Sequence, residues 1–533
     1  MTGRVNTICL FMSLCLLTGG CSPSAPTPAN RPGVKPSNPQ DGQTTVVDPQ
    51  DDQPTVASDP TEYTYDDSPV SLPDFIPVSQ NVVNTACDDN ATLTLGSLSS
   101  KKISRRLLGF NTVYSDNTDS RWADGTLANA IKDVNPGYLR YPGGTVVTYF
   151  HWKNPNGLPK TDSWDPSYKS SSNKNPSEFM DIDEYFAILD KTGALPLLGI
   201  NCNSGFVYPS RLQEGIQEAL DLMKYVKSKG RKVQYWYIGN EPFSKDGNGG
   251  VYTAEAYANM VKTFAVEMKK YDPNIRLIVN DHGNVFKNWA DYDTILSIAG
   301  EYVDVIDVHS YWNHGNVTWA SWIKNTPCIM SGYGSFEAEV AKFHELAAAK
   351  GYPKLEFATL EWNCGPSDNA PEPLTTADQV TLVQAEMIMQ FMRGGMDFAC
   401  FWPLLISGGS AYRGFASKSS SALMPIAYVM KDFAPYLGRN LVETTLTSGK
   451  KSLYALAASD GKAGSPTLAC ILNKYDHAVG VKLSGSGVKT SDKVKVKTYR
   501  YDMPTDKIIT DDLHWEYATN VALPAYSVCF IVL

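Results

Sequence analysis

A chain of 533 residues, 43% hydrophobic and 19% charged, exceeds one ordinary domain and can bury a large apolar core. Its net charge of −9 leaves no basic stripe to displace counterions, which excludes nucleic acid as a partner. Aromatic residues reach 11%, and several of the eleven Trp fall in expected loops, where rings serve as stacking platforms for sugars.

The first elements are Arg4, an apolar stretch from Ile8 to Leu17, and small residues after it, which is the pattern of an export signal. The stretch is too short to span a bilayer as a permanent helix. Leu-Leu-Thr-Gly-Gly-Cys (16–21) resembles a bacterial lipoprotein processing site, so residues 1–21 are read as a leader with Cys21 lipidated. A lipid anchor at Cys21 would tether the chain without crossing the membrane. The expected location is the cell envelope, as an exported outer-membrane lipoprotein. Residues 22–77 are rich in Pro, Asp, Gln, Ser and Thr and read as a disordered acidic linker. Within 78–104, Asn90–Leu98 alternates like a strand and is expected to join a later sandwich. Three of the ten Cys lie in the leader, and the other seven cannot all pair. Cys470 and Cys529 fall in expected strands and are one candidate pair.

From 105 to 438 short apolar runs alternate with helical segments, which is the βα signature. The expected strands are Arg106–Asn111, Tyr138–Tyr141, Pro196–Asn201, Gln234–Gly239, Arg276–Asn280, Val303–His309, Lys354–Leu360 and Met396–Trp402. Ser210 with Gln213, and Thr376 with Gln379, have capping-box spacing. Gly193, Gly230 and Gly351 suit helix C-termini. Eight units with no ninth strand predict an α/β fold, a (β/α)8 TIM barrel. No Gly-x-Gly-x-x-Gly follows the first strand, so a dinucleotide fold is not expected. Residues 439–533 alternate as strands with Gly, Asp, Ser and Lys at turns, and predict a C-terminal β-sandwich.

Two glutamates end expected barrel strands: Glu241 in Tyr-Ile-Gly-Asn-Glu-Pro (237–242) and Glu361 in Ala-Thr-Leu-Glu-Trp-Asn (358–363). Carboxylates at the C-terminal mouth of strands four and seven point to paired acid and nucleophile chemistry on a sugar. Alternation within the seventh strand places Leu355, Phe357, Thr359 and Glu361 on one face, and assigns Glu356 to the surface or helix layer. The same rule turns Asn240 away from Glu241 unless the strand end kinks before Pro242.

Gly-Asn-Glu (239–241), Glu-Trp-Asn (361–363), Leu-Arg-Tyr-Pro-Gly-Gly (139–144) and the closing Leu-Pro-Ala-Tyr-Ser-Val (523–528) resemble the clan A glycoside hydrolases. The chain is most similar to glycoside hydrolase family 51, chiefly α-L-arabinofuranosidases. That resemblance implies a retaining glycoside hydrolase with a carbohydrate substrate, Glu241 as acid/base and Glu361 as nucleophile. It also implies Asn240 as a donor to the sugar 2-hydroxyl, Arg140 beside the nucleophile, and contacts from His309 and Tyr311. Asn201, Asn203, Asn280 and Asp281 follow strands and are expected at the mouth, with Trp402 as a floor under the sugar. Trp152, Trp312, Trp319 and Trp322 are expected to build further subsites. No metal or organic cofactor is expected. Thr145, Pro242 and Leu360 differ from the usual family 51 residues. They keep open other clan A activities (β-xylosidase, β-glucuronidase, endoglucanase, agarase), beside a non-catalytic glycan-binding lipoprotein.

Overall fold

The computed structural model describes residues 62–533 apart from 115, 154–178, 245–251, 282, 330–332, 367–371, 407–410, 448, 486 and 490. The chain falls into two units, Met1–Val56 and Ala57–Leu533, and every described residue belongs to the second. The expected leader, Cys21 and the linker up to 61 lie outside the described residues.

The first strand, β1 (Asp89–Lys102), belongs to the C-terminal sheet. The barrel follows as β2 (Gly109–Asn111), β3 (Tyr138–Tyr141), β4 (Leu195–Ile200), β5 (Tyr235–Ile238), β6 (Arg276–Asp281) and β7 (Val305–Val308). A short β8 (Ser310–Trp312) runs beside the upper half of β9 (Glu356–Cys364), and β10 (Phe398–Phe401) completes the set. Neighbours pair in parallel from β2 through β7 to β9, and β10 pairs with both β9 and β2. Eight parallel strands therefore close into the expected barrel. Tyr138, Leu197, Tyr237, Ile278, Leu360 and Phe398 fill its interior, while outward residues pack on the helices.

Helix punctuation follows the sequence in part. Thr376 and Gln379 form a reciprocal capping box, as do Asp181 and Glu184, and Gly193 ends its helix in a left-handed conformation. The Ser210–Gln213 box does not form, because a 3-10 turn, Pro209–Arg211, leads directly into the helix starting at Leu212.

Glu356 is a correction. It lies inside the N-terminal end of the barrel, paired with Arg106 at 2.9 Å and accepting the Tyr235 hydroxyl at 2.7 Å. Simple alternation failed because β9 carries an extra residue. Ala399 faces Thr359 and Phe401 faces Trp362, so three steps of β9 span two of β10. Such a bulge re-aims a side chain beside a site. It lets both Leu360 and Glu361 face inward while Trp362 turns into the helix layer.

After the small pair β11 (Leu405–Ile406) and β12 (Ala416–Ser417) come β13 (Asn440–Leu446), β14 (Leu453–Ser459), β15 (Leu468–Asn473), β16 (Val479–Gly485), β17 (Lys493–Asp502), β18 (Lys507–Tyr517), β19 (Val521–Leu523) and β20 (Ser527–Val532). They form one nine-stranded sheet, β18-β17-β20-β15-β14-β13-β1-β16-β19. Leu93, Ile471, Val481, Val496 and Ile531 share one inner core, so the sheet curls onto itself as a sandwich. The alternate residues Leu468, Cys470, Leu472 and Phe530 join the core of the barrel's helix layer instead. Burial on both faces explains the nearly unbroken apolar run of β15. Cys470 sits opposite Phe530 and Cys529 opposite Ile471, on different faces, and both are free thiols. The candidate disulfide is thereby excluded.

The reading of 22–77 as disordered fails over 62–77. The Tyr63 hydroxyl lies 3.0 Å from the Val233 carbonyl and 3.1 Å from Asp272, and Val70 N–H donates to Leu437 O. A few apolar and aromatic anchors suffice to order a segment whose average composition is polar.

Candidate active site

At the end of β5 the chain turns sharply. Gly239 has φ +74°, and a Cβ there would lie 2.5 Å from Cys202 Sγ, so the position requires glycine. Glu241 itself sits at φ +43°, a strained left-handed conformation that costs a non-glycine residue on the order of 1 kcal/mol. Asn280 Oδ1 holds this turn by accepting the Glu241 N–H at 2.7 Å. The kink also brings Asn240 inward, where Oδ1 accepts from Arg140 Nη2 at 2.7 Å. Strand alternation had turned Asn240 away, and the two positive φ values explain the difference.

Glu361 is delivered by the β9 bulge. Arg140 Nη1 donates to Oε1 at 2.8 Å and the Tyr311 hydroxyl donates to Oε2 at 2.7 Å. Arg140 is fully buried, and Nη1 also donates to Asn111 Oδ1 at 3.0 Å. Its guanidinium lies over the Tyr237 ring, 4.4 Å from the centroid. Burial opposes its charge, but Tyr237, Glu361 and Asp307 outweigh burial and keep it a cation. Burial, then the negative charge of Glu361 and Glu241, pushes the Tyr311 hydroxyl far above its ordinary value, so it remains a donor.

The two carboxylates converge. One oxygen of each, with a His309 ring nitrogen, all lie within 4.8 Å of one another. His309 Nδ1 is 2.8 Å from Glu241 Oε1 and 3.5 Å from Glu361 Oε2. Nε2 faces Asp307 Oδ2 at 3.4 Å, out of line for a hydrogen bond. Burial disfavours the imidazolium, yet Glu361, Asp307 and Glu241 raise it to about 10. Burial likewise pushes the Glu241 carboxyl up, but the hydrogen bond and charge of His309, then Arg140 and His314, bring it below the ordinary carboxylate value. The Glu241–His309 pair thus retains one proton through neutral pH.

Not every expected residue joins this group. Trp402, at the end of β10, places its ring over Gly144, where a Cβ would meet it at 2.8 Å. Asn201 is spent locally, accepting from Asn203 N–H at 3.1 Å and donating to Phe150 O. Trp312 and Trp322 are buried in the core, Trp152 packs at a tilt against Tyr225, and Trp319 packs on Tyr501 and Tyr526 of the sheet. These four rings serve packing, so the expected extra subsites are corrected. Sequence reasoning missed Asn111 and Asp307. Asp307 is wholly buried and accepts from Leu360 N–H and Asn280 Nδ2. An acid or amide inside an otherwise apolar strand run was the available signal.

The alpha-L-arabinofuranosidase 1 domain matches residues 130–322. An intracellular exo-alpha-(1->5)-L-arabinofuranosidase of Streptomyces lividans is 24% identical over 302 residues, 52% of this chain and 42% of that protein. One of the same description from Acetivibrio thermocellus is 26% identical over 209 residues, covering 34% and 38%. The chain therefore spans less than half the length of these curated relatives. The alpha-L-arabinofuranosidase of Thermotoga maritima, solved with arabinose, superposes with a TM-score of 0.65 at 19% identity, covering 83% of this chain and 100% of that one. The resemblance to clan A, and within it to family 51, is borne out. The expected export as an outer-membrane lipoprotein is overturned, since both curated relatives are named intracellular enzymes. Among the described residues no helix is long and apolar enough to cross a membrane.

Proposed function

We propose that the chain is a retaining glycoside hydrolase that releases α-L-arabinofuranosyl groups from plant-type oligo- or polysaccharides. The observation that carries this reading is the meeting of Glu241 and Glu361 oxygens within 4.8 Å. Double displacement uses a separation of about 5–5.5 Å, whereas inversion needs roughly 6.5–9.5 Å to admit a water. Glu361 attacks the anomeric carbon as Glu241 protonates the departing glycosidic oxygen. The aglycone leaves as an alcohol and the sugar remains as an ester of Glu361. Glu241, now ionised, takes a proton from water, which attacks the same carbon and frees Glu361.

The surroundings suit each role. Arg140 and Tyr311 each donate to one oxygen of the attacking carboxylate and orient it. Asn240, its oxygen fixed by Arg140, keeps its amide protons for a sugar hydroxyl. As Glu361 becomes a neutral ester, His309 loses the largest charge that keeps it protonated, which eases proton traffic at Glu241. The arabinofuranosyl preference rests on the names of the relatives. A panel of aryl α-L-arabinofuranosides, β-D-xylosides, β-glucosides and β-glucuronides tests it. The highest kcat/KM is expected on the arabinofuranoside, and a larger value on another glycoside would replace that sugar assignment.

His309→Asn should move the alkaline limb of the kcat/KM–pH profile to lower pH. In the parent the shared proton survives until the imidazole titrates at about 10, whereas a lone Glu241 carboxyl releases it earlier. The sign for stability follows from the same raised value. The imidazolium's contribution is complete below about 6.5 and is lost as pH rises through about 10. An unmoved limb would contradict the pairing.

The Glu241–His309–Glu361 spacing would also suit a divalent cation. Both Glu361 oxygens are already engaged by Arg140 and Tyr311, and the imidazolium faces the same space. EDTA treatment is expected to leave turnover unchanged, and metal-restored activity after its loss would refute this.

A further inference from the structure

Lys474, immediately after sandwich strand β15, carries a side chain with no solvent exposure, driven into the barrel's outer layer. Its ammonium has three acceptors for its three protons. Glu386 Oε2 lies at 2.7 Å, Asn325 O at 2.8 Å and Trp322 O at 3.1 Å. It also sits 4.6 Å from the centre of the Trp322 ring. Glu386, equally buried in the helix Ala377–Gly394, accepts Trp322 Nε1–H at 2.7 Å and Cys328 N–H at 2.8 Å. Two groups, Glu386 from the helix and Lys474 from the end of the sheet strand, thus grip one segment, 322–328.

That segment leads directly to the site. Ile329 O, one residue on, accepts Trp312 Nε1–H at 3.1 Å. Trp312 follows Tyr311 on β8, whose register on β9 is fixed by the pairs Ser310 with Trp362, Tyr311 with Asn363 and Trp312 with Cys364. Tyr311 is the donor to Glu361. A buried ion pair is a poor device for stability alone, since apolar residues of like volume often do as well or better. Its use here is geometric: it fixes backbone carbonyls that an apolar side chain cannot hold.

We propose that Lys474 is a positioning residue for the reaction, supplied by the sandwich, which through segment 322–329 and Trp312 keeps the Tyr311 hydroxyl on the nucleophile. This rests on the functional reading above as to what Glu361 does, although the placement of Tyr311 does not. Single removal of Lys474 would strand the Glu386 carboxylate and risks unfolding, so the informative variant is Lys474→Met with Glu386→Gln.

The test has two arms. In the parent, the double variant and Tyr311→Phe, the Glu361 carboxyl carbon is followed by 13C NMR at one fixed pH. Loss of the Tyr311 hydrogen bond in the double variant should move its resonance to the position seen in Tyr311→Phe, while near-ultraviolet circular dichroism stays native. On an aryl arabinofuranoside, kcat should fall about tenfold with KM little changed. Adding Tyr311→Phe to the double variant should cost nothing beyond Tyr311→Phe alone. An unmoved resonance, or fully additive losses, overturns the proposal. A parent enzyme without arabinofuranosidase activity would sink the substrate assignment instead, and the NMR arm would still decide the role of Lys474.

Discussion

Replacing Glu361 by Gln is expected to lower kcat by about 10^4-fold or more on every glycoside, including those with excellent leaving groups. No other described carboxylate can substitute. Glu241 is held by His309 Nδ1 at 2.8 Å as the proton-bearing partner of the pair, and Asp307 is committed to Leu360 N–H and Asn280. The amide of Gln keeps a carbonyl for either Arg140 or Tyr311, so local packing survives. Arg140 loses a buried counter-charge, which costs on the order of 3 kcal/mol at most, because Asn111 and Asn240 still bind it. Urea unfolding separates the two effects. A folded, inactive variant supports the assignment, while a folded variant with substantial turnover would contradict it.

Glu241→Ala should behave differently. The acid is needed in proportion to the basicity of the leaving group, and its loss removes about 10^2- to 10^4-fold on unactivated glycosides. Dinitrophenyl-type glycosides leave without protonation, so their first step should be nearly spared and the ester on Glu361 should accumulate. Hydrolysis of that ester then lacks its base. Azide, a small nucleophile that needs no base, should restore turnover and yield a glycosyl azide of retained configuration. Truncation also vacates the space beside His309, and relieves the strain of a non-glycine residue at φ +43° only slightly, since alanine shares the penalty. Loss of the 2.8 Å partner of the buried imidazolium is expected to lower stability modestly, with Glu361 and Asp307 still facing the ring. Equal losses on activated and unactivated substrates, with no response to azide, would remove Glu241 from the acid/base role.

Much of this arrangement was legible because βα periodicity and strand-end carboxylates are local features. The eight barrel strands fell within a few residues of their expected positions, and Glu241 and Glu361 stood out as acids where packing gives no reason for them. What alternation could not supply was the backbone irregularity at both strand ends. The extra residue in β9 put Glu356 inside the barrel and Glu361 at its mouth, and the left-handed turn at Gly239 and Glu241 brought Asn240 inward. Those features depend on neighbouring strands. The tryptophans were misread for another reason: a ring in a loop serves equally to bind a sugar or to seal a barrel against a sheet. Only tertiary context, such as Trp319 between Tyr501 and Tyr526, separates the two.

The measurement that bears most directly on the chemistry is mass spectrometry of the protein after reaction with an activated 2-deoxy-2-fluoro-α-L-arabinofuranoside. The fluorine slows formation and breakdown of the ester alike, and the reactive leaving group lets formation outrun hydrolysis. The expected result is one adduct per chain, carried by the peptide containing Glu361 and absent from Glu361→Gln. An adduct on another residue, or turnover of the unmodified sugar with inverted configuration, would contradict the account.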